Sequence, residues 1–272
     1  YSSFWIDRSF LIDGIGRIVT GTAGRNFSVD NLFFAASGEK LEVKRIESIN
    51  KRYTKEVGSQ RLAISLKKSN LKLPKRGDLL SNEVLPISNH IFIEIKGENT
   101  KGTKKNTKKL FAGTANKLVE KIYFLNVNKK KYAVVKLNNP IAISEGEKMV
   151  LHDIEDNLFT ACEFIMSLKN SSLIKHLIRK SKNKVSYNTL FDLVYFLPFE
   201  NGDNLIKIGN LFTNKKNLNH INESIKIGAE SINKHGIQKY LYETFFINED
   251  TVESLFSEFD NISIKENQIK FN

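Results

Sequence analysis

Cysteine is nearly absent: the chain of 272 residues carries only Cys162. A single thiol excludes an intramolecular disulfide framework and a zinc site built from cysteine pairs. No run of 18 apolar residues occurs, which excludes a transmembrane helix in this sequence. No basic start followed by an apolar stretch opens the chain, so nothing reads as a secretory signal. These absences fit a reducing, cytoplasmic setting and no membrane partner. The phosphate cradle G-x-x-x-x-G-K-[ST] is missing, and so is G-x-S-x-G. Gly14-Ile15-Gly16 lacks the following glycine and helix of a dinucleotide fingerprint. The five histidines (His90, His152, His176, His220 and His235) are scattered, without metal-ligand spacing. These residues should therefore form no catalytic centre and hold no cofactor or metal.

What is present is apolar residues and positive charge. Forty per cent hydrophobic content with 19 Phe is enough for several cores, and the length suggests two to four domains. Both methionines, Met149 and Met166, are internal and the chain opens at Tyr1, so it reads as a piece of a longer protein. The net charge of +12 is uneven. Residues 1–164 hold 28 Lys+Arg against 18 Asp+Glu, residues 167–216 hold 9 against 3, and residues 217–272 hold 5 against 9. A basic excess over the first three-quarters points to a polyanionic partner. A lysine-rich, AT-biased genome would give the same bulk charge.

Residues 1–86 read as all-β. Trp5–Ile12 and Arg17–Thr22 form two strands around Asp13-Gly14-Ile15-Gly16, which is turn chemistry. Phe27–Phe34 and Lys40–Ile49 follow, the second changing apolar phase around Arg45 as at a bulge. Arg61–Leu66 alternates Leu62, Ile64 and Leu66 on one face, and Pro74 and Gly77 punctuate the end. Closure into a small barrel would remove the exposed edges. Residues 87–166 form a second β unit, with strands at His90–Lys96, Lys121–Val127 and Lys131–Leu137. Between them, residues 96–109 carry six lysines, one acid and no apolar residue, so a mobile loop or hairpin tip is expected.

From Ser167 the pattern is helical. Leu173, Ile174, Leu177 and Ile178 make one stripe, and a second helix with Ser186 as N-cap should hold Leu190, Leu193 and Val194. Asn201-Gly202 signals a hairpin. Residues 167–213 thus suggest a winged-helix-like unit. In residues 214–272, Leu218, Ile221, Ile225 and Ile232 suit one long helix ending near His235-Gly236. A short helix over Tyr240–Phe246 and a third capped by Asn248 follow. The third carries Val252, Leu255, Phe256 and Phe259, and a closing hairpin turns at Glu266-Asn267.

Several phrases are more specific than these patterns. Residues 6–22, I-D-R-x-F-x-I-x-G-x-G-x-x-V-T-G-T, resemble the opening of domain II in translational GTPases of the elongation factor Tu superfamily, most closely the SelB-type, selenocysteine-specific elongation factors. Gly58-Ser59-Gln60-Arg61-Leu62-Ala63 is similar to that family's G-Q-R strand, with one residue inserted. Lys75-Arg76-Gly77-Asp78-Leu79-Leu80 is similar to its R-G-D turn. Further on, Ala112-Gly113-Thr114-Ala115, Asn139-Pro140-Ile141 and Glu145–Asp153 follow the order of its domain III. Glu147 there replaces an aspartate and His152 an arginine. Tandem winged helices after two barrels match the extension that elongation factor Tu lacks.

The resemblance implies two small antiparallel β-barrels, at 1–86 and 87–166, and two winged-helix domains, at 167–213 and 214–272. It implies that GTP and Mg²⁺ belong to an N-terminal GTPase domain outside these residues. The implied partners are selenocysteinyl-tRNA, an mRNA hairpin and the ribosome. Asp7, Arg8 and Arg61 match residues lining the aminoacyl pocket. Charge placement adds RNA-contact candidates at Lys104, Lys105, Lys108 and Lys109 in the loop, and at Lys180, Lys182, Lys184, Lys239, Lys265 and Lys270 in the helical part. Two alternatives remain open on the residues alone. One is a winged-helix DNA-binding regulator; the other is domains II and III of another translational GTPase with an unrelated tail.

Overall fold

A computed structural model describes residues 3–24, 27–48, 51–53, 56–57, 59–67, 74–97, 107–144, 146–183, 185–198, 200–228, 234–259, 262–265 and 268–271. The chain falls into two compact units, residues 1–122 with 133–167, and residues 123–132 with 168–272.

The first unit opens with the long hairpin of β1 (Ser3–Ile12) and β2 (Gly16–Ala23). Short strands follow at β3 (Phe27–Ser28), β4 (Leu32–Phe34) and β5 (Glu39–Leu41), then β6 (Val43–Ser48), β7 (Lys51–Tyr53) and β8 (Glu56–Val57). β9 (Arg61–Leu66) and β10 (Leu79–Ser81) complete the set. Eight of them form one curled sheet in the order β5-β4-β10-β1-β2-β9-β6-β7. Alternation drives the curl: Phe4, Ile6, Val19, Leu62, Ile64, Leu66 and Leu80 turn inward onto Phe27, Leu32 and Ile46. Each such burial contributes about 1.5–3 kcal/mol relative to exposure. The expected strand over 27–34 divides at Asn31, which has φ +53. The bulge expected near Arg45 is present, as a register shift between Val43 and Arg45.

The second sheet contains β11 (Ile87–Lys96), β12 (Lys108–Ala112), β13 (Ala115–Val127), β14 (Lys130–Ala142), β15 (Lys148–Asp153) and β16 (Leu158–Ser167). Its order is β12-β15-β16-β11-β14-β13, and β12 also pairs with β13, so six strands close into a barrel. Cys162 on β16 is buried, and burial pushes its thiol up to about 12. The expected lysine-rich loop is shorter than its sequence suggests. Lys96 ends β11, whereas Lys108 and Lys109 lie inside β12.

In the second unit, α1 (Ser171–Lys182) is capped by Asn170, whose Oδ1 accepts from Ser172 N at 2.9 Å and Leu173 N at 3.0 Å. The second helix expected near Leu190 is only a 3₁₀ turn, Leu190–Asp192. Ser186 caps nothing, because Ser186–Tyr187 is β17, which pairs in parallel with Asn126–Val127 of β13. Sheet pairing with a distant segment has overridden the local helical preference. The hairpin of β18 (Leu205–Ile208) and β19 (Leu211–Asn214) turns at Gly209, φ +58, rather than at Asn201-Gly202.

Three helices follow: α2 (Lys215–Gly228), α3 (Lys234–Thr244) and α4 (Glu249–Phe256). The long helix expected through Ile232 is described as far as Gly228; Ile232 lies outside the described residues, and Gly236 sits inside α3 rather than after a helix. The closing hairpin is present as β20 (Ile262–Lys265) and β21 (Gln268–Phe271). One apolar cluster gathers Ile208 of β18 with Ile221, Ile225, Ile237, Leu241, Phe245, Val252 and Leu255. The segments on either side of residue 213 therefore share a core. Asn217 at the start of α2 is buried there and donates Nδ2 to the carbonyls of Phe191 and Tyr195, at 3.3 and 3.4 Å.

Candidate RNA and aminoacyl interface

The β1–β2 ladder slips between Ile6 and Arg8, so Asp7 is the extra residue of a β-bulge. Bulges re-aim side chains. Gly21 makes this one possible, since a Cβ there would stand 2.0 Å from the Trp5 carbonyl oxygen. The Asp7 side chain keeps 13% of its exposure, and Arg61 Nη2 approaches its Oδ2 at 2.6 Å. The approach is an ion pair off hydrogen-bond angle, since Oδ2 is buried and gains no hydrogen bond.

Arg61 stands opposite Thr22, and Arg8 opposite Thr20, two residues along the same strand. With a period of two, Arg8 and Arg61 therefore share the outer face of the sheet. Arg61 is 67% exposed at its side chain. Arg8 is exposed and makes no ion pair among the described residues. The three residues singled out in the sequence thus stand on one patch: an anchored guanidinium, its carboxylate partner and a second, uncommitted guanidinium.

Two further motifs converge on the same strand. In the Lys75–Asp78 turn, Gly77 N donates to Ile6 O at 3.0 Å, and Ile6 N donates to Asp78 O at 2.9 Å. Gly77 has φ +87, and a Cβ there would lie 2.9 Å from Ala115 Cα, so this turn requires glycine. Thr114 Oγ1 also donates to Ile6 O, at 2.7 Å. Trp5, opposite Thr22, donates its indole N–H to Glu147 Oε1 at 3.1 Å. A Cβ at Gly113 would stand 2.2 Å from the Trp5 ring. Burial pushes the Glu147 carboxyl up, against the lowering effect of the indole bond. Sequence reasoning missed Trp5, Thr114 and Glu147 as a group; the G-T-A phrase was their only signal. A groove of about 430 Å³ between Asp30, Lys40, Glu42, Arg45 and Lys67 contains none of these residues.

The basic candidates scatter. Lys104, Lys105 and Lys184 lie outside the described residues. Lys108 is a correction: it is buried, 8% exposed at its side chain, and ion-paired with the equally buried Asp153, so it is a core group and no loop cation. Lys109 lies on β12 opposite His152, whose ring stacks on the 63%-exposed Phe159 at 4.1 Å. Lys180 sits 5.2 Å over the Tyr187 ring, and Lys182 is exposed at the end of α1. Lys239 is exposed on α3. Lys265 stands opposite Gln268 and Lys270 opposite Ser263. Among the described residues no group of three or more His, Cys, Asp or Glu could hold a metal ion, and no helix is long and apolar enough to cross a membrane.

A curled sheet and a closed six-stranded barrel in one unit, and a helical part with short hairpins in the other, make up a fold that solved structures of elongation factors also contain. The comparisons narrow it: this chain is homologous to the selenocysteine-specific elongation factors. The factor of that name from Haemophilus influenzae is 27% identical over 196 residues, covering 69% of this chain and 30% of that protein. The crystal structure of a bacterial selenocysteine-specific elongation factor, EF-Sec, superposes over 100% of this chain and 50% of that one, with a TM-score of 0.60 and 17% identity. Elongation factor SelB from Methanococcus maripaludis, in its apo form, covers 62% of this chain and 43% of that one, with a TM-score of 0.51 and 18% identity. The chain spans half or less of the length of each. No protein-family model matches it.

Proposed function

We propose that these residues are the part of a selenocysteine-specific elongation factor that holds the aminoacyl end of selenocysteinyl-tRNA and an mRNA hairpin, for delivery to the ribosome. The observation that carries the reading is the bulge-anchored Asp7–Arg61 pair with Arg8 on the same outer face. A selenol is more acidic than a thiol and is largely ionised near neutral pH, whereas serine on the same tRNA stays neutral. Two guanidiniums that cannot deprotonate favour the selenolate, and Asp7 fixes one of them in place. A site reading charge in this way supplies discrimination of about 1–3 kcal/mol.

The RNA hairpin falls to the helical part. Helices α2, α3 and α4 followed by the β20–β21 hairpin have the element order of a winged helix. Lys239, Lys265 and Lys270 supply phosphate contacts there, and Lys180, Lys182 and Lys184 supply more from α1 and the residues after it. The sequence carries no G-x-x-x-x-G-K-[ST] cradle, and on this reading GTP and Mg²⁺ are held by a GTPase domain outside these residues. The test is filter binding of selenocysteinyl-tRNA and seryl-tRNA to the full-length factor. Arg61→Ala and Arg8→Ala should each weaken the selenocysteinyl form about tenfold or more while leaving the seryl form within a factor of about two. Equal losses for both would make the arginines braces of the sheet and defeat the pocket.

A further inference from the structure

The β13–β14 hairpin ends in a two-residue loop, Asn128-Lys129, with φ +44 and +62. Such a loop takes both central residues left-handed, and glycine is the favoured second one. Lysine there holds a conformation that costs an L-residue, and what it gains is a charge at the tip. Lys129 and Lys130 are both exposed, and Lys131 lies 4.5 Å over the Phe124 ring.

This tip belongs to the second unit. Asn126 and Val127 pair with Ser186 and Tyr187, and Asn128 N donates to Tyr187 O at 2.8 Å. Tyr187 also carries Lys180 over its ring, and its hydroxyl reaches Lys180 O at 3.4 Å. Two segments far apart in sequence are thus fastened side by side. Residues 123–132 hold three lysines and residues 168–191 hold six Lys or Arg, with no Asp or Glu in either. Desolvation lowers the Lys131 pKa, as expected of a cation held in a crowded, partly dry setting.

We infer that the Lys129–Lys131 tip and the Lys180–Tyr187 surface form one binding face for the phosphodiester backbone of folded RNA. The inference rests on the proposed RNA-binding reading and extends it to a strand tip that the charge pattern of the helical part does not reveal. Basic surface on two fixed elements suits a polyanion, and backbone contacts release counterions in proportion to the phosphates neutralised. The half-buried Phe124 and Tyr187 rings, each with a lysine over it, suit ribose and unpaired bases.

The test is fluorescence anisotropy of the whole 272-residue chain with two probes, a labelled RNA stem-loop and a labelled tRNA, over a salt series. Reversing Lys129, Lys130 and Lys131 to Glu should weaken binding at least about tenfold and lower the salt slope by about 2. Lys129→Gly guards against misfolding, because glycine suits the left-handed position. It should keep or raise the melting temperature while lowering the slope by about 0.7–0.9. Loss confined to the stem-loop makes mRNA the ligand; loss confined to, or shared with, tRNA extends the face to tRNA. Wild-type affinity and slope in both tip variants, with loss in Lys180→Glu/Lys182→Glu, overturns this inference alone. Wild-type binding in all three sets of variants overturns this inference and leaves the contacts to Lys239, Lys265 and Lys270, whereas no binding of either RNA by the unaltered chain overturns the RNA-binding reading beneath it as well.

Discussion

Asp7 shows how one residue can be legible in sequence for its chemistry and not for its placement. An acid beside a base in a strand reads as a rim pair, and the sequence places Asp7, Arg8 and Arg61 together only through the order of motifs that it shares with the family it resembles. The bulge that turns Asp7 toward Arg61 has no signature of its own, because the extra residue is balanced by Gly21 on the partner strand. Lys108 fails in the opposite sense. A lysine at the end of a polar run reads as solvated, yet its partner Asp153 is 45 residues away and no periodicity links them. Breaking a buried pair strands one charge, so Lys108→Ala should cost about 3–5 kcal/mol in a denaturant titration. The salt slope for RNA should not change, as it would if Lys108 touched phosphate. Glu147 yields a pH prediction. Its carboxyl is pushed up in the fold, so the folded chain holds that proton more tightly than the unfolded one. Stability therefore falls as pH rises from the ordinary carboxylate range through the raised value, and the deficit persists above it. Glu147→Gln keeps an oxygen for the Trp5 indole; its melting temperature should exceed that of the parent at neutral pH and match it once the carboxyl is protonated.

At the scale of elements, strands with clean alternation were legible. β9, the β1–β2 hairpin and the closing β20–β21 hairpin stand where their period of two puts them. Helices α1 and α4 were equally legible, with Leu177 buried on the first and Val252, Leu255 and Phe256 on the second. What failed were elements decided at long range. Residues 185–194 carry helix-like spacing, yet two of them, Ser186 and Tyr187, are captured as a strand by the tip of β13, and the rest close into one turn held by Thr189 N donating to Asp192 Oδ2 at 2.9 Å. The start of α1 depends on Asn170, which caps two amides and also donates Nδ2 to Tyr242 O at 3.2 Å, tying α1 to the last turn of α3. Asn170→Ala should destabilise the second unit by about 1–2 kcal/mol. Asn170→Asp keeps the cap but loses the tie to Tyr242. In urea titrations followed by circular dichroism, Asp should therefore fall between the parent and Ala, and equal losses for the two would assign the whole effect to the tie.

For the molecule as a whole, composition and motif order foretold two β units and a helical part, and the curled sheet and the barrel are joined more closely than that division implied. Trp5, Gly113, Thr114 and Glu147 knit them into one unit, so the patch of Asp7, Arg8 and Arg61 stands on a braced sheet. A braced sheet without a phosphate cradle should not recognise nucleotide. Calorimetric titration of the 272-residue chain with GTP and Mg²⁺ is expected to show no saturable heat; a stoichiometric isotherm would reverse the assignment of hydrolysis to another domain. The lone cysteine offers a practical consequence. With its thiol buried and pushed up to about 12, Cys162 carries almost no thiolate at neutral pH and should ignore maleimides while the barrel stays shut. A cysteine introduced at an exposed site such as Lys129 can then take a fluorophore or spin label on its own, with no need to mutate the native thiol. In denaturant, Cys162 itself becomes a clock, and the rate at which it is alkylated reports how often the six-stranded barrel opens.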